Sequence, residues 1–332
     1  VRRGARPAFV AWTSSPGRSR ELAAALGGDA LIIHPLRSSH PAVKVLRYLL
    51  SVPLTLWGLV RARPSAIVVQ NPPAFAAACG WAYARVAGIP FLMDVHPGGF
   101  GLQGDAFSAR LLPITRRLVR RAAATLVTED TLAAQVRDWG GTPLVVHEAP
   151  PSWRIDSPLR RKGTGEVLLV GTFGRDEPIE LAVQAAQAAG VALAITGDLA
   201  EAPGELRASP PAGVRLTGYL RGDAFVRALE EAAAVLVLST EPTSVPRAGY
   251  EAVRAGRPLV LSRSAATLQA FPNATHVELD AHELATALRS IVAEPPSEVE
   301  LQRARVELEA QWEAQRAALE LALQPAGTAR AR

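Results

Sequence analysis

The chain has a single cysteine among 332 residues, and Cys79 sits in the apolar stretch 75–81. One thiol forms no intrachain disulfide, thiolate metal cage or redox pair, and a reducing compartment suits it. Residues 1–6 are basic but lead straight into a strand pattern, with no signal-peptide apolar core or small-residue cleavage site. The expectation is a cytoplasmic protein. Aromatic residues, 5% of the chain, are not interleaved with the arginines as in nucleic-acid modules, and zinc-ligand spacing is absent. Nucleic acid is therefore not an expected partner. The junction Thr13-Ser14-Ser15-Pro16-Gly17-Arg18-Ser19 lacks the spacing of both GxGxxG and a Walker loop, which removes the main support for dinucleotide and ATP sites there. No acidic cluster is spaced like a cation site, so neither a metal nor a bound cofactor is expected.

What is present is hydrophobic material, 48% of the residues, in a chain longer than one core usually organises. Two domains follow. Charge is split between them: up to Pro158 there are 18 Lys and Arg against 9 Asp and Glu, whereas the remainder has 18 against 22. A surplus of nine positive charges in one half suits an anionic surface.

Strand-like runs alternate with helical periodicity from end to end, the signature of parallel sheets covered by helices on both faces. Strands are predicted at 8–12, 30–33, 66–70, 90–94, 124–128 and 144–146, with helices at 19–26, 44–62, 74–87 and 110–121. A loop rich in proline and basic residues, 150–163, reads as linker and hinge. The pattern then restarts with strands at 167–170, 192–196, 214–216, 234–238, 258–262 and 276–278, interleaved with helices at 180–189, 223–232, 245–255 and 281–293. A helix over 297–323 closes the chain. The fold class is α/β, two tandem Rossmann-like domains with parallel sheets facing across a cleft. The divisions fall at 1–158, 159–315 and a tail, 316–332, that crosses back to the first domain.

Ligands bind at the carboxyl ends of strands in such sheets, so residues just after strands carry the chemistry. Asp94-Val95-His96-Pro97-Gly98-Gly99 places His96 at such an end, where it can bond a sugar hydroxyl or take a proton, with Asp94 orienting the ring. Gly98 and Gly99 allow close backbone approach to a phosphate, and Gly17 opens a helix whose amides favour anions. Ser15 or Ser19 caps that helix in the plainer reading. Gly171-Thr172-Phe173-Gly174-Arg175 holds the equivalent place in the second half, with Thr172 and Arg175 suited to a diphosphate or else forming a surface turn. In Ser244-Val245-Pro246-Arg247-Ala248-Gly249-Tyr250-Glu251 a loop becomes a helix, and Arg247 and Glu251 share one face. That pair is either a surface ion pair or a diphosphate and ribose grip.

The segment 244–260 resembles the donor-binding signature of GT-B glycosyltransferases of the family-4-like group. The resemblance implies that Glu251 grips the nucleotide ribose, with Ser244 and Val245 at the diphosphate. The glutamate that often stands eight positions earlier is replaced by Thr243, with Glu241 nearby. Val69-Gln70-Asn71-Pro72-Pro73 and Leu92-Met93-Asp94-Val95-His96 resemble the amino domain of these enzymes, including mannosyltransferases acting on lipid-linked chitobiose, which puts His96 beside the transferred sugar. Ile195-Thr196-Gly197-Asp198 and Leu216-Thr217-Gly218-Tyr219-Leu220 are similar to the stretch that receives the base, so Gly197, Tyr219 and Leu220 join the donor site. The resemblance implies a hexosyl transfer from a nucleotide sugar, without a metal, to an acceptor hydroxyl on a carbohydrate such as a lipid-linked or surface glycan, or on a secondary metabolite. A nucleotide-sugar epimerase on the same fold, and a two-domain small-ligand binder, are the competing readings. The apolar stretch 48–60, flanked by Lys44, Arg47, Arg61 and Arg63, is shorter than a bilayer span. It either covers its own sheet or lies at the inner face of an anionic membrane.

Overall fold

The computed structural model describes residues 6–14, 16–36, 40–102, 109–150 and 165–325. All of the predicted linker 150–163 except Pro150, and Ser15, lie outside them. Two compact units result: Val1–Ala149 with Trp312–Arg332, and Pro150–Gln311.

The first unit is a six-stranded parallel sheet in the order β2-β1-β3-β4-β5-β6. Its strands are β1 (Ala8–Ala11), β2 (Asp29–Ile32), β3 (Ile67–Asn71), β4 (Phe91–Val95), β5 (Ala124–Val127) and β6 (Pro143–Val145). The central ones are near-continuous apolar runs because both faces are covered, as parallel sheets require. The covering helices are α1 (Gly17–Ala25), α2 (Pro41–Ala62), α3 (Ala74–Ala87), α4 (Leu112–Val119) and α5 (Asp130–Asp138). α5, whose first amides are capped by the Glu129 carboxylate, was not anticipated. Cys79 is buried on α3, and burial pushes its thiol up to about 11, which keeps it protonated and unreactive near neutrality.

The second sheet runs β12-β11-β10-β7-β8-β9, also parallel throughout. It comprises β7 (Val167–Leu169), β8 (Leu193–Thr196), β9 (Val214–Gly218), β10 (Ala234–Val237), β11 (Leu259–Ser262) and β12 (Thr275–Val277). Its helices are α6 (Ile179–Ala189), α7 (Gly204–Ala208), α8 (Asp223–Glu231), α9 (Arg247–Arg254), α10 (Ala265–Ala270) and α11 (Ala281–Ala293). The last helix, α12 (Glu298–Ala322), contributes Leu308 to the core of the second unit. Its later residues Trp312 and Leu319 are buried with Phe9, Leu22 and Leu92 of the first. The return to the first unit thus begins at Trp312, and the first unit gives way at Ala149, both upstream of the divisions read from composition.

Strand order reverses between β1 and β3 in one sheet and between β7 and β10 in the other. At such points two successive crossovers leave on opposite faces, so their loops part and open a crevice at the carboxyl ends of the strands.

Candidate active site

In the first unit the reversal point is occupied by a cavity of about 280 Å³, lined by Trp12 and Thr13 after β1, by Gln70 and Asn71 at the end of β3, and by Thr115 of α4. Beside it β4 carries Asp94 one residue before its end at Val95 and delivers His96 just after it. The His96 amide donates to the Asn71 carbonyl at 2.9 Å, which ties the histidine to the floor of this crevice.

Asp94 is almost fully buried, and its charge is held by Arg18. The Arg18 Nε lies 3.1 and 3.0 Å from the two carboxylate oxygens. Its Nη1 donates to Glu148 and the His147 carbonyl, and its Nη2 to the Val146 carbonyl. Burial would raise the Asp94 pKa, but the Arg18 charge and then His96 override it and hold the group at about 2. Asp94 is thus an anion at neutral pH. The His96 Nε2, 3.3 Å from Asp94 Oδ2, must then be the protonated nitrogen, because a carboxylate only accepts. About a third of the His96 side chain is solvent-accessible, so the ring is anchored on one edge and reachable on the other.

Arg18 was passed over in the sequence. α1 starts two residues earlier than its apolar pattern indicates, at Gly17 after Pro16, which puts Arg18 in the first turn, facing the sheet. Ser19 does not cap α1; its hydroxyl donates to Gln70 Oε1 at 3.2 Å. Of the two glycines read as phosphate donors, Gly98 and Gly99, the second has its amide engaged within the chain. Both are buried in a 3-10 turn, Pro97–Phe100, and the Gly99 amide donates to the His96 carbonyl at 2.8 Å. A Cβ on Gly99 would stand 2.8 Å from Val95 and 3.1 Å from the Asn71 side chain and carbonyl. Close packing of the turn onto β3 and β4 therefore accounts for that glycine.

In the second unit, the loop after β7 is also closed on itself. The Glu177 carboxylate accepts from the Thr172 amide at 2.7 Å, from the Thr172 hydroxyl and from the Gly174 amide. The Thr172 amide and hydroxyl thus already hold an anion of the chain's own, the arrangement of the surface turn that stood beside the diphosphate reading. Arg175 stays exposed at the tip. Phe173 adopts a left-handed φ of 61° and packs where a Cβ on Gly197 would fall, 2.5 Å from its ring. Gly197 is thus explained by this contact. Asp176 closes the reversal point by accepting from the Ser239 hydroxyl at 2.9 Å, while its carbonyl accepts from the Thr240 amide.

α9 follows from β10. Arg247 Nε donates to Glu251 Oε1 at 2.9 Å, with Glu251 nearly buried and Arg247 about one third exposed. The helix is pinned by Gly249, whose missing Cβ would sit 2.6 Å from the Phe271 ring, and by Tyr250, fully buried edge-on against that ring at 4.6 Å. Val245 packs on the same core, and the Ser244 amide donates to the Glu241 carbonyl. Tyr219 is exposed, with the Arg221 guanidinium 5.0 Å above its ring. Leu220 lines a separate groove with Glu166, Arg215 and Arg227. A further cavity of about 490 Å³ lies by the amino ends of β11 and β12, lined by Val253 near the end of α9, by Pro258 and Thr275, and by α12 residues.

Residues 1–151 match the family model described as glycosyl transferase 4-like domain. No curated protein sequence matches the chain. Among solved structures, HepE of Anabaena in complex with UDP shares the fold at a TM-score of 0.68 and 14% identity, over 96% of this chain and 99% of that one. HepE has also been solved with UDP-glucose. Sucrose-phosphate synthase of Thermosynechococcus elongatus gives a TM-score of 0.73 at 17% identity, over 95% and 98%. The glycotransferase of kitacinnamycin gives 0.58 at 16%, over 96% and 99%. Two α/β units with parallel six-stranded sheets make the GT-B fold, which the chain shares with these structures as the resemblance implied; the comparisons give no specific likeness to mannosyltransferases.

Proposed function

We propose that this chain, whose first 151 residues form a glycosyl transferase 4-like domain, moves a hexose-type sugar from a nucleoside-diphosphate sugar to an acceptor hydroxyl. The observation that carries the reading is the buried Arg18–Asp94 pair hydrogen-bonded to an accessible His96 at the end of β4. With Nε2 donating to Asp94, the lone pair of His96 is on Nδ1. The acceptor hydroxyl attacks the anomeric carbon as its bond to the diphosphate breaks, and its proton passes to Nδ1. The imidazolium so formed faces a fixed carboxylate, the arrangement that makes a histidine a better base. Asp94 is a positioning residue in this scheme.

The second unit holds the donor. Glu251 accepts from the ribose hydroxyls, aligned by Arg247, and the start of α9 with Arg247 and Arg175 meets the negative charge that grows on the leaving diphosphate. Positive side chains in that role remove the need for a cation, and turnover in EDTA tests this. HepE's complexes with UDP and UDP-glucose make uridine nucleotides the first donors to try. The acceptor belongs to the cavity beside Asn71, and a carbohydrate, free or lipid-linked, suits its polar lining.

The epimerase alternative needs an acid and a base free to work on the sugar. Asp94, the carboxylate beside His96, is bound to Arg18 on both oxygens, which counts against it in that role.

Thermal shift with UDP, GDP, ADP and TDP tests the donor: a nucleotide at a hundred times its Kd stabilises by about 2.7 kcal/mol. Acceptor-dependent release of the nucleoside diphosphate then tests transfer. No shift with any nucleotide, or isomerised donor without acceptor, would overturn the reading.

A further inference from the structure

α2 is built inside out for a helix facing water. Among residues 45–60 every exposed side chain is apolar, with Leu49 and Trp57 each 65% accessible and Val45 and Val60 close behind. The small and polar residues face inward. Ser51 is 1% accessible and Thr55 fully buried; Thr55 Oγ1 donates to the Ser51 carbonyl and accepts from Trp12 Nε1 at 2.8 Å. At 100° per residue the exposed positions among residues 45–60 cover about half the circumference, with no charged side chain among them and the Trp57 indole N–H their one side-chain hydrogen-bonding group. Contiguous apolar surface of this extent marks an interaction site.

The helix is longer than the apolar stretch suggests: residues Val43–Ala62 have the length and mean hydropathy, 1.4, of a membrane span. Packing, not length, argues against a span. One stripe is docked along the first unit through Thr55, through Leu59 in its core, and through the Tyr83 hydroxyl, which donates to the Leu59 carbonyl at 3.0 Å. A helix so fixed presents one side only. Basic residues sit towards its two ends, Lys44 and Arg47 in the first turns and Arg61 and Arg63 after the arc, and the Arg61 guanidinium lies 5.7 Å over the Trp57 ring. A tryptophan under an arginine at the rim of an apolar face is suited to the boundary between acyl chains and headgroups.

We propose that α2 is a membrane-docking element that lies in the interface of an anionic bilayer, its apolar arc among the acyl chains and its basic ends at the headgroups. The charge at its ends, within a half of the chain carrying nine surplus positive charges, favours lipid over a second copy of the chain, whose identical basic ends would repel. Lys44 and Tyr48 from the first turns also line the cavity beside Asn71. If the transfer proposed above holds, its acceptor is therefore a saccharide carried on a lipid phosphate and presented at the bilayer surface; this step rests on that reading, whereas the docking does not.

Flotation of the full chain with phosphatidylcholine vesicles, and with vesicles containing phosphatidylglycerol, tests the docking. Leu49→Glu/Trp57→Glu is the paired variant; both positions are exposed, so its melting temperature should match the parent. The expected result is flotation with the anionic vesicles, weakened by high salt, and a loss of at least tenfold in the variant. Failure of the parent to float at low salt, or equal flotation of the variant, overturns the proposal. So does a parent that ignores vesicles but sediments as a dimer that the variant breaks, since the arc then belongs to a second copy. Nucleotide-induced thermal shift in both proteins reports separately on the donor site, so the docking and the transferase reading can fail independently.

Discussion

Asp94 shows how one buried charge depends on a residue far away in the chain. Removing one member of a buried ion pair leaves the other uncompensated, at a cost of about 3–5 kcal/mol. Asp94→Asn and Arg18→Met should each lower stability by that order in chemical denaturation, and the double variant should recover part of the loss. The pH dependence has a definite sign. Asp94 is held at about 2 against an ordinary 3.8, so its stabilisation is present above about pH 4 and fades as pH falls from 4 towards 2. The stability gap between parent and Asp94→Asn should narrow in that window. At the proposed reacting groups the two units should separate cleanly. His96→Ala should depress kcat by about 10²–10⁴-fold while leaving the nucleotide-induced thermal shift intact. Glu251→Ala should weaken nucleotide binding by about 10–100-fold, the worth of hydrogen bonds to a charged group. Equal nucleotide affinity in all three proteins would remove Glu251 from the site. His96 and Asp94 were legible as candidates because they stand at the end of a strand, and Glu251 because it shares a helical face with Arg247 in a segment that resembles a donor signature; Arg18 was not, because nothing local distinguishes a buried arginine from a solvated one.

At the scale of the element, α9 and α2 are opposites. α9 is located by its neighbours: Gly249 lets Phe271 approach the backbone and Tyr250 stacks edge-on beside it. Gly249→Val should overpack this contact at about 1–3 kcal/mol and, by displacing the Arg247–Glu251 pair, weaken nucleotide binding as well. A variant that loses stability but binds nucleotide normally would show that α9 does not position the donor. α2 has little to hold it except its narrow inner stripe. Its apolar content was plain from the sequence, but covering helix and interfacial helix have the same composition. The choice turns on which face meets the sheet, and the sheet took Ser51 and Thr55. The loop after β7 carries a similar lesson. Small residues after a strand suit an anion, and here the anion is Glu177, five residues on from Thr172.

For the whole molecule, the carboxyl end of the chain is part of the first core. Trp312 and Leu319 are buried there, and Gln315 accepts from the His147 amide at 2.8 Å, next to the carbonyls that hold Arg18. Trp312→Ala should cost about 3–5 kcal/mol and Leu319→Ala about 2–5 kcal/mol, measured by denaturant unfolding. Because His147 and Arg18 lie beside that core, Trp312→Ala should also reduce turnover. Unfolding within error of the parent would show that the returning segment is not part of the first unit's stability.

The sequence by itself determined the α/β class, the two sheets and the strand ends where chemistry belongs, because hydrophobic periodicity and strand-terminal motifs are local and survive without a partner. Only the tertiary structure decided which charges are consumed internally, where the chain returns to its first sheet, and which side of α2 is left uncovered. Those outcomes depend on contacts between residues tens to hundreds of positions apart, and burial, which sets the cost of an unpaired charge, exists only once such contacts have formed.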